Sequence, residues 1–489
     1  MNNNWLEIKN LEAIPLSEIP RLDINSFREQ LVKKIKSGER LVQLFGNKDN
    51  DDVVLYGITA NDDNSKLYLA SCIFDNKKEY ESLTQDVPAA HLFEREFYEQ
   101  FDIKPLNHPW LKPLRKINAE LYNFFKMEGE DVHEVGVGPI HAGIIEPGHF
   151  RFSCHGEKIY HLEIQLGFQH RGIEKLFRKN NPVYLLKLAE SVSGDSVIAH
   201  ASTFVRAVES LSNCNVSYNA NLIRAIALEL ERIAVHLGDL SALSNDVAYL
   251  TGSSVFGALR TKVINTTMSL CGNRFGRGLI NYGGVNYEID DALKSKILNT
   301  INSLEEEVNL ASEVLFSSAS VLERFEKTGI VDKETAIQIG MVGPAARASG
   351  VSIDVRADHP SGAYQYFPVH KLTLNSGDVF ARAYIRYVEI IQSIKIIREQ
   401  LENLSKENII SSLGSLEPNK FVISLTEGWR GEVSYVILTD ETGKIKKVKI
   451  KDPSFNNWFA LALAVRGNDI SDFPLCNKSF NLSYCGFDL

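Results

Sequence analysis

The chain is poor in cysteine and contains no close pair of them. Its 489 residues include six, Cys72, Cys154, Cys214, Cys271, Cys476 and Cys485, with no CxxC and no even spacing. That scatter excludes a disulfide framework and a metal site built from neighbouring thiolates, so reduced thiols are expected, with His and carboxylate left as the available ligand types. No run approaches the roughly 18 uncharged apolar residues that suggest a membrane-crossing helix. The start, MNNNWLEIKN, lacks the basic and apolar regions of a signal peptide. A cytoplasmic chain with a frayed, Asn-rich amino terminus is expected. Positive charge is not in excess either: 53 Lys plus Arg against 62 Asp plus Glu leave −9, which argues against nucleic acid or an anionic lipid surface as a ligand.

What is present suits a folded protein of more than one domain, because 489 residues at 44% hydrophobic exceed the size of about 250–300 residues at which single cores stop growing. Residues 1–120 alternate short apolar runs with polar turns after a predicted helix at 24–37, the pattern of a small α+β domain. Residues 128–167 carry seven Gly, two Pro and alternating apolar runs, as expected for strands joined by tight turns. Beyond residue 173, apolar residues three and four apart predict amphipathic helices over 197–211, 220–243, 291–322 and 381–404. Strand-like alternation returns over 421–451, followed by a helix at 456–466 and an irregular tail. The fold class is α+β.

Several segments concentrate reactive side chains. The run FEREFYEQFDI at 93–103, ahead of His108 and Pro109, reads on its own as a solvated helix terminus. GPIHAGIIEPGHFR at 138–151 sets His141, Glu146 and His149 among residues that force turns; a part-buried Glu there can relay protons, and a structural hairpin is the plainer reading. GFQHRGIEK at 167–175 reads as an exposed charged corner. In ALELERIAVHLGD at 227–239, Glu229, Arg232 and His236 share one helical face, as a buried ion network would require. GPAARASGVSIDVR at 343–356 offers Arg347, Asp354 and Arg356, which a loop ion pair would also explain.

Taken in order, these segments resemble the large subunit of the membrane-bound, energy-converting nickel-iron hydrogenases of the formate-hydrogenlyase and hydrogenase-4 group. That group is homologous to fused thirty-kilodalton and forty-nine-kilodalton subunits of respiratory complex I. The resemblance implies an assembly domain like the thirty-kilodalton subunit over 1–120. It also implies a mainly helical domain, like the hydrogenase large subunit or the forty-nine-kilodalton subunit, over 128–489 with a β-rich lead-in. AESVSGDSVIAH at 189–200 aligns with the hydrogenase motif ERxCGxCxxxH, so Ser193 and Ser196 stand in cysteine positions and Gly194 falls where complex I has its quinone-binding Tyr. DFPLCNKSFNLSYCG at 472–486 resembles the hydrogenase ending, with Ser483 and Gly486 in the other two cysteine positions and Cys485 one residue out of register. Hydroxyls are poor ligands for soft iron or nickel, so a nickel site is not expected.

Other roles follow from the same resemblance. Glu146 matches the proton-passing Glu of the hydrogenases, and either His141 or His149 could match the quinone-facing His of the larger complex I subunit. Arg347 matches an Arg that overhangs the pocket, with Asp354 and Arg356 near it; an always-charged guanidinium there suits a developing negative charge. Glu146, Arg347 and Asp354 are thus candidate catalytic residues, and His141, His149, Ser193 and Ser196 candidate substrate-binding residues. The resemblance implies a peripheral subunit on the cytoplasmic side of the membrane. An iron-sulfur small subunit and ion-pumping membrane-arm subunits are the expected partners, and no cofactor is expected on this chain. Two functions remain open: passing electrons from the partner's cluster to quinone or another non-hydrogen acceptor, as in an NADH:quinone-type complex, and a non-redox coupling role.

Overall fold

A computed structural model describes residues 4–49, 52–75, 78–115, 122–141, 145–179 (the backbone alone at 179) and 181–489. Most of the Asn-rich start lies outside them. The predicted first helix spans Ile24–Lys36, where the Asp23 carboxylate accepts the Asn25 and Ser26 N–H groups and Lys33, Lys34 and Lys36 sit in the last turn. These are a helix N-cap and a favourable charge at the dipole's negative end. Phe27 and Leu31 are fully buried and face an antiparallel sheet of Arg40–Asp49, Asp52–Asn61 and Lys66–Phe74. Gly57 permits the contact, since a Cβ there would fall 2.6 Å from the Phe27 ring.

The other face of this sheet does not meet solvent. Val42, Phe45, Val54 and Tyr56 pack with Phe421, Ile423, Leu425, Val436 and Leu438 of a second antiparallel sheet, formed by Lys420–Gly428, Gly431–Thr439 and Ile445–Lys451. The amino-terminal strand Ile14–Pro15 completes that sheet by pairing with Lys420 and Phe421. Every residue of Gly431–Thr439 is buried, because the far face of the strand packs against the helix Val197–Leu211 through Val433, Tyr435 and Ile437.

Polar groups are matched across the sheet-on-sheet interface. Arg40 reaches Glu432 at 2.6 Å, Lys451 meets the same carboxylate at 3.0 Å, and Gln43 donates to Ser434 at 3.1 Å. The segment read as a solvated helix terminus is buried instead. In the helix His91–Phe101, Glu94 accepts the N–H groups of Leu83 and Thr84, Arg95 donates to the carbonyls of Lys112 and Pro113, and Glu96 pairs with Arg115 and Lys449. Asp102 ends that helix in the left-handed region at φ 58°.

The helical layer agrees with the periodicity at Val197–Leu211, Tyr218–Asp246 and Val379–Glu402. Two differences have physical causes. The 291–322 pattern breaks at Ser318, whose extended backbone divides Asp291–Ser317 from Ala319–Phe325. A further helix, Leu250–Cys271, buries Gly252, Phe256, Leu259, Val263, Thr266, Thr267 and Leu270; the spacing is helical, but Gly and Thr fill part of the seam and hide it from a hydropathy reading. The lead-in is a three-stranded sheet of Val132–Val137, His149–His155 and Lys158–Gln165. The tail is not irregular: Phe473–Phe480 and Tyr484–Asp488 are helices, separated by Asn481 at φ 48°.

The interface makes acid sensitivity calculable in sign. Burial alone would raise both carboxyls, but Arg40 and Lys451 hold Glu432 down at about 2, and Lys449 and Arg115 hold Glu96 down at about 2. Their stabilisation is therefore complete above the unfolded value of 4.5 and is lost as pH falls through about 2. Melting temperature measured from pH 6 to pH 2 should fall, and Glu432→Gln should flatten that dependence while costing about 3–5 kcal/mol at neutral pH. An unchanged slope would mean that the interface pair contributes nothing to acid stability.

Candidate functional site

Two segments far apart in sequence converge at the start of the helix Val197–Leu211. His200, one turn into that helix, is hydrogen-bonded through Nε2 to Asp452 at 3.0 Å and through Nδ1 to the Tyr435 hydroxyl at 3.1 Å. Asp452 accepts the Ser454 N–H, and the Ser454 hydroxyl accepts the Ser483 N–H at 2.9 Å. Burial would raise the Asp452 carboxyl, yet the hydrogen bond from His200 and the nearby Arg430 charge keep it below its ordinary value. The turn at 193–196 and the tail are thereby fixed to one another.

Ser193 Oγ and Ser483 Oγ lie 3.1 Å apart, and both residues are buried. Ser193 also donates to Asp195 at 3.0 Å, and Arg430 grips Asp195 with two hydrogen bonds of 2.6 and 2.7 Å. A third contact from Arg430 reaches Ser193 Oγ at 3.3 Å. On the other side, Ser483 Oγ is 3.4 Å from Cys485 Sγ. Burial, and then the Glu146 carboxylate, push that thiol up to about 11. Glu146 itself accepts the Tyr484 N–H at 3.3 Å. Beside the Glu146 carboxylate, a continuous polar chain thus runs from Cys485 through Ser483 and Ser193 to Asp195 and Arg430. Beside it Gly194 is exposed, with no atom within 4 Å of where its Cβ would be.

Similarity to known proteins decides the family. Residues 18–119 match the family model of the respiratory-chain NADH dehydrogenase 30 Kd subunit, and residues 246–420 and 412–488 match that of the 49 Kd subunit. The chain is 30% identical to formate hydrogenlyase subunit 5 of Escherichia coli (strain K12), over 92% of this chain and 84% of that protein. It belongs to the family that unites membrane-bound hydrogenase large subunits with their complex I counterparts. Another member, the membrane-bound hydrogenase subunit alpha of Pyrococcus furiosus, is 30% identical over 71% of this chain and 85% of its own. An NADH-quinone oxidoreductase subunit of Clostridium beijerinckii is 28% identical over 66% of this chain and 87% of its own. The fold also matches a chain in the structure of the membrane-bound sulfane sulfur reductase, an archaeal respiratory membrane complex, with a TM-score of 0.69 at 24% identity over 74% of this chain and 99% of that one.

The residues at the four positions that the resemblance aligns with metal-binding cysteines do not fit a nickel-iron centre. Ser193, Ser196 and Ser483 offer hydroxyls in place of thiolates. At the fourth position, a Cβ on Gly486 would fall 2.7 Å from the Asp452 carboxyl and 2.9 Å from Ser483 Oγ. Among the described residues no group of three or more His, Cys, Asp or Glu is arranged to hold a metal ion.

The structure brings Glu146, Ser193 and Ser483 together. Ser196 adjoins them, donating its N–H to the Ser193 carbonyl at 3.3 Å. His141 and His149 face their own hairpin: His141 Nε2 is 2.9 Å from the Gly148 carbonyl, and His149 Nδ1 is 2.8 Å from that of Gly138. Arg347 is buried at the centre of an ion network, bonded to Glu389 at 2.7 Å and Glu427 at 2.8 Å, with Asp354 at 3.6 Å. Asp354 is itself held by Arg356 at 2.7 Å, and Arg356 meets Glu229 at 3.1 Å. Burial and Asp354 push the Glu427 carboxyl up to about 7, against the pull of Arg347 and Arg232.

This network supports the turn that carries Arg430. Arg232 donates to the carbonyls of Glu427 and Gly428, and Gly343, at φ 71°, lets its helix approach so closely that a Cβ would be 2.1 Å from the Arg430 carbonyl. Arg430, the guanidinium that touches Ser193, was missed by the sequence reasoning. Its signal was the tip sequence of the 421–451 hairpin, where Trp429 and Arg430 sit between Gly428 and Gly431.

Variants separate these roles. Arg347→Met removes the ion pair of buried Glu427 and leaves Glu389 only Arg232 and His236, and should cost about 3–5 kcal/mol in denaturant unfolding. Ser193→Ala should cost about 1 kcal/mol; equal costs would refute the scaffold role of the network. Placing cysteine at 193, 196, 483 and 486 together should yield no stoichiometric nickel by metal analysis, because Asp452 occupies the space of the fourth side chain.

Proposed function

We propose that this chain is the catalytic-position subunit of a complex I-like, membrane-associated oxidoreductase. In this reading it takes electrons from the iron-sulfur cluster of a partner subunit and passes them, with protons, to a quinone or another non-hydrogen acceptor, coupled to ion translocation. The observation that carries the reading is the polar chain from Cys485 to Arg430, beside Glu146, at positions that the resemblance aligns with metal ligands. Each of its members can do part of the work. The Cys485 thiol, with its value near 11, stays protonated at neutral pH and can exchange a proton with Glu146 on one side and Ser483 on the other. Ser483 and Ser193 hydroxyls both donate and accept. Arg430 supplies fixed positive charge where negative charge develops on the acceptor. The open volume beside Gly194 is where the acceptor enters.

No helix among the described residues is long and apolar enough to cross a membrane, so in this proposal membrane attachment on the cytoplasmic side and ion pumping fall to partner subunits. One observation favours a second reading, a coupling subunit without a redox step: Asp195 already satisfies the fork of Arg430, and the two serine hydroxyls bond each other. Glu146→Gln in the assembled complex separates the two. The redox reading expects assembly to be retained and acceptor reduction to fall at least tenfold, whereas unchanged turnover supports the coupling reading. A purified wild-type complex whose cluster is reduced while no added quinone is would remove quinone as the acceptor.

A further inference from the structure

A cavity of about 420 Å³, lined by Arg206, Glu209, Tyr218, Asn221, Gly362 and Tyr366 among others, shares no residue with the Ser193–Ser483 cluster. Arg206, on the helix Val197–Leu211, is only 5% exposed. Its hydrogen bond is from Nη1 to the Ser361 hydroxyl at 3.1 Å, and its Nε has no partner among the described residues. None of the described carboxylates lies within ion-pair distance of it. The nearest candidate, Glu209, is fully engaged: both its oxygens take hydrogen bonds from Arg224, at 2.6 and 2.9 Å, and one also accepts the Gly283 N–H.

A buried guanidinium without a counter-ion is costly, and proteins pair such groups. Here the space for a partner is kept open. Gly362, at φ 57°, leaves clear a position where a Cβ would stand 2.8 Å from Arg206 Nη2 and 2.9 Å from Asn221 Oδ1. Because Arg224, behind the cavity wall, already neutralises Glu209, the charge of Arg206 is left unbalanced, and a monoanion would neutralise it. Burial, and then the Arg224 charge, pull the Arg206 guanidinium down to about 10.

We propose that this cavity is a carboxylate-binding site with Arg206 as the counter-ion. Either a small free acid or an Asp or Glu side chain of a neighbouring subunit supplies the same group. Isothermal titration of the full chain with sodium acetate, at ionic strength fixed by chloride, should show saturable binding at one site. Arg206→Met should weaken it at least tenfold while melting at an equal or higher temperature than the wild type without acetate, and Arg206→Lys should retain part of the affinity. Gly362→Ala, which fills the space before Nη2, provides a second variant expected to lose acetate. Binding by the assembled complex as well as the chain assigns the site to a free acid; binding by the chain alone assigns it to a subunit carboxylate. Absence of saturable acetate binding by the wild type, unchanged binding by both variants, or tighter binding of inorganic phosphate than of acetate overturns the proposal.

Discussion

Burying Arg232, Arg347 and Arg356 against Glu229, Asp354, Glu389 and Glu427 is the constraint on which the rest of the molecule depends. Desolvating so many charges is expensive, and the arrangement holds only because each guanidinium finds carboxylates, and two of the three also backbone carbonyls, to bond. Acids outnumber arginines by one, and the excess is eased where burial and Asp354 push the Glu427 carboxyl up to about 7, while His236 adds a hydrogen bond to Glu389 at 2.9 Å. The network joins the helices Tyr218–Asp246 and Val379–Glu402 to the end of the strand Lys420–Gly428. The turn beyond that strand end sets Arg430 against Asp195 and Ser193.

Much of the fold was legible because the signals were local. The helix Val197–Leu211 begins and ends where its periodicity does, and Asp23 and Asp378 act as caps that short-range rules recognise. Signals that depended on tertiary context were not legible. Glu94, Arg95 and Glu96 look solvated in sequence because nothing nearby reveals that Thr84, Lys112 and Lys449 will close over them. Arg430 was hidden for a related reason: a hairpin tip is ordinarily exposed, and only the covering of both faces of its sheet turns this one inward.

The site itself was partly legible. Resemblance grouped Ser193, Ser196, Ser483 and Gly486 along two distant segments with Glu146 beside them, but it gave no hint that the hydroxyls would bond directly. Exchanging thiolates for hydroxyls also changes the electrostatics. A set of anionic sulfurs would compete for Arg430; neutral serines leave it to Asp195, whose side chain is 37% exposed and so keeps the pair in touch with solvent. The site is therefore a row of neutral hydroxyls beside an ion pair that touches solvent.

The strand Ile14–Pro15 has a consequence for synthesis. It is made long before its partner Lys420–Gly428, and Asn10 bonds Leu425 across 415 positions. On the ribosome the amino-terminal sheet can form early, but its Phe45 and Tyr56 face stays uncovered for most of translation. Such an exposed apolar sheet is a target for chaperones and for aggregation until the carboxy-terminal hairpin arrives. Ser193 and Ser483, 290 positions apart, meet only after that closure. A truncated or stalled chain would thus lack the pocket entirely and could not be mistaken for a finished subunit during assembly.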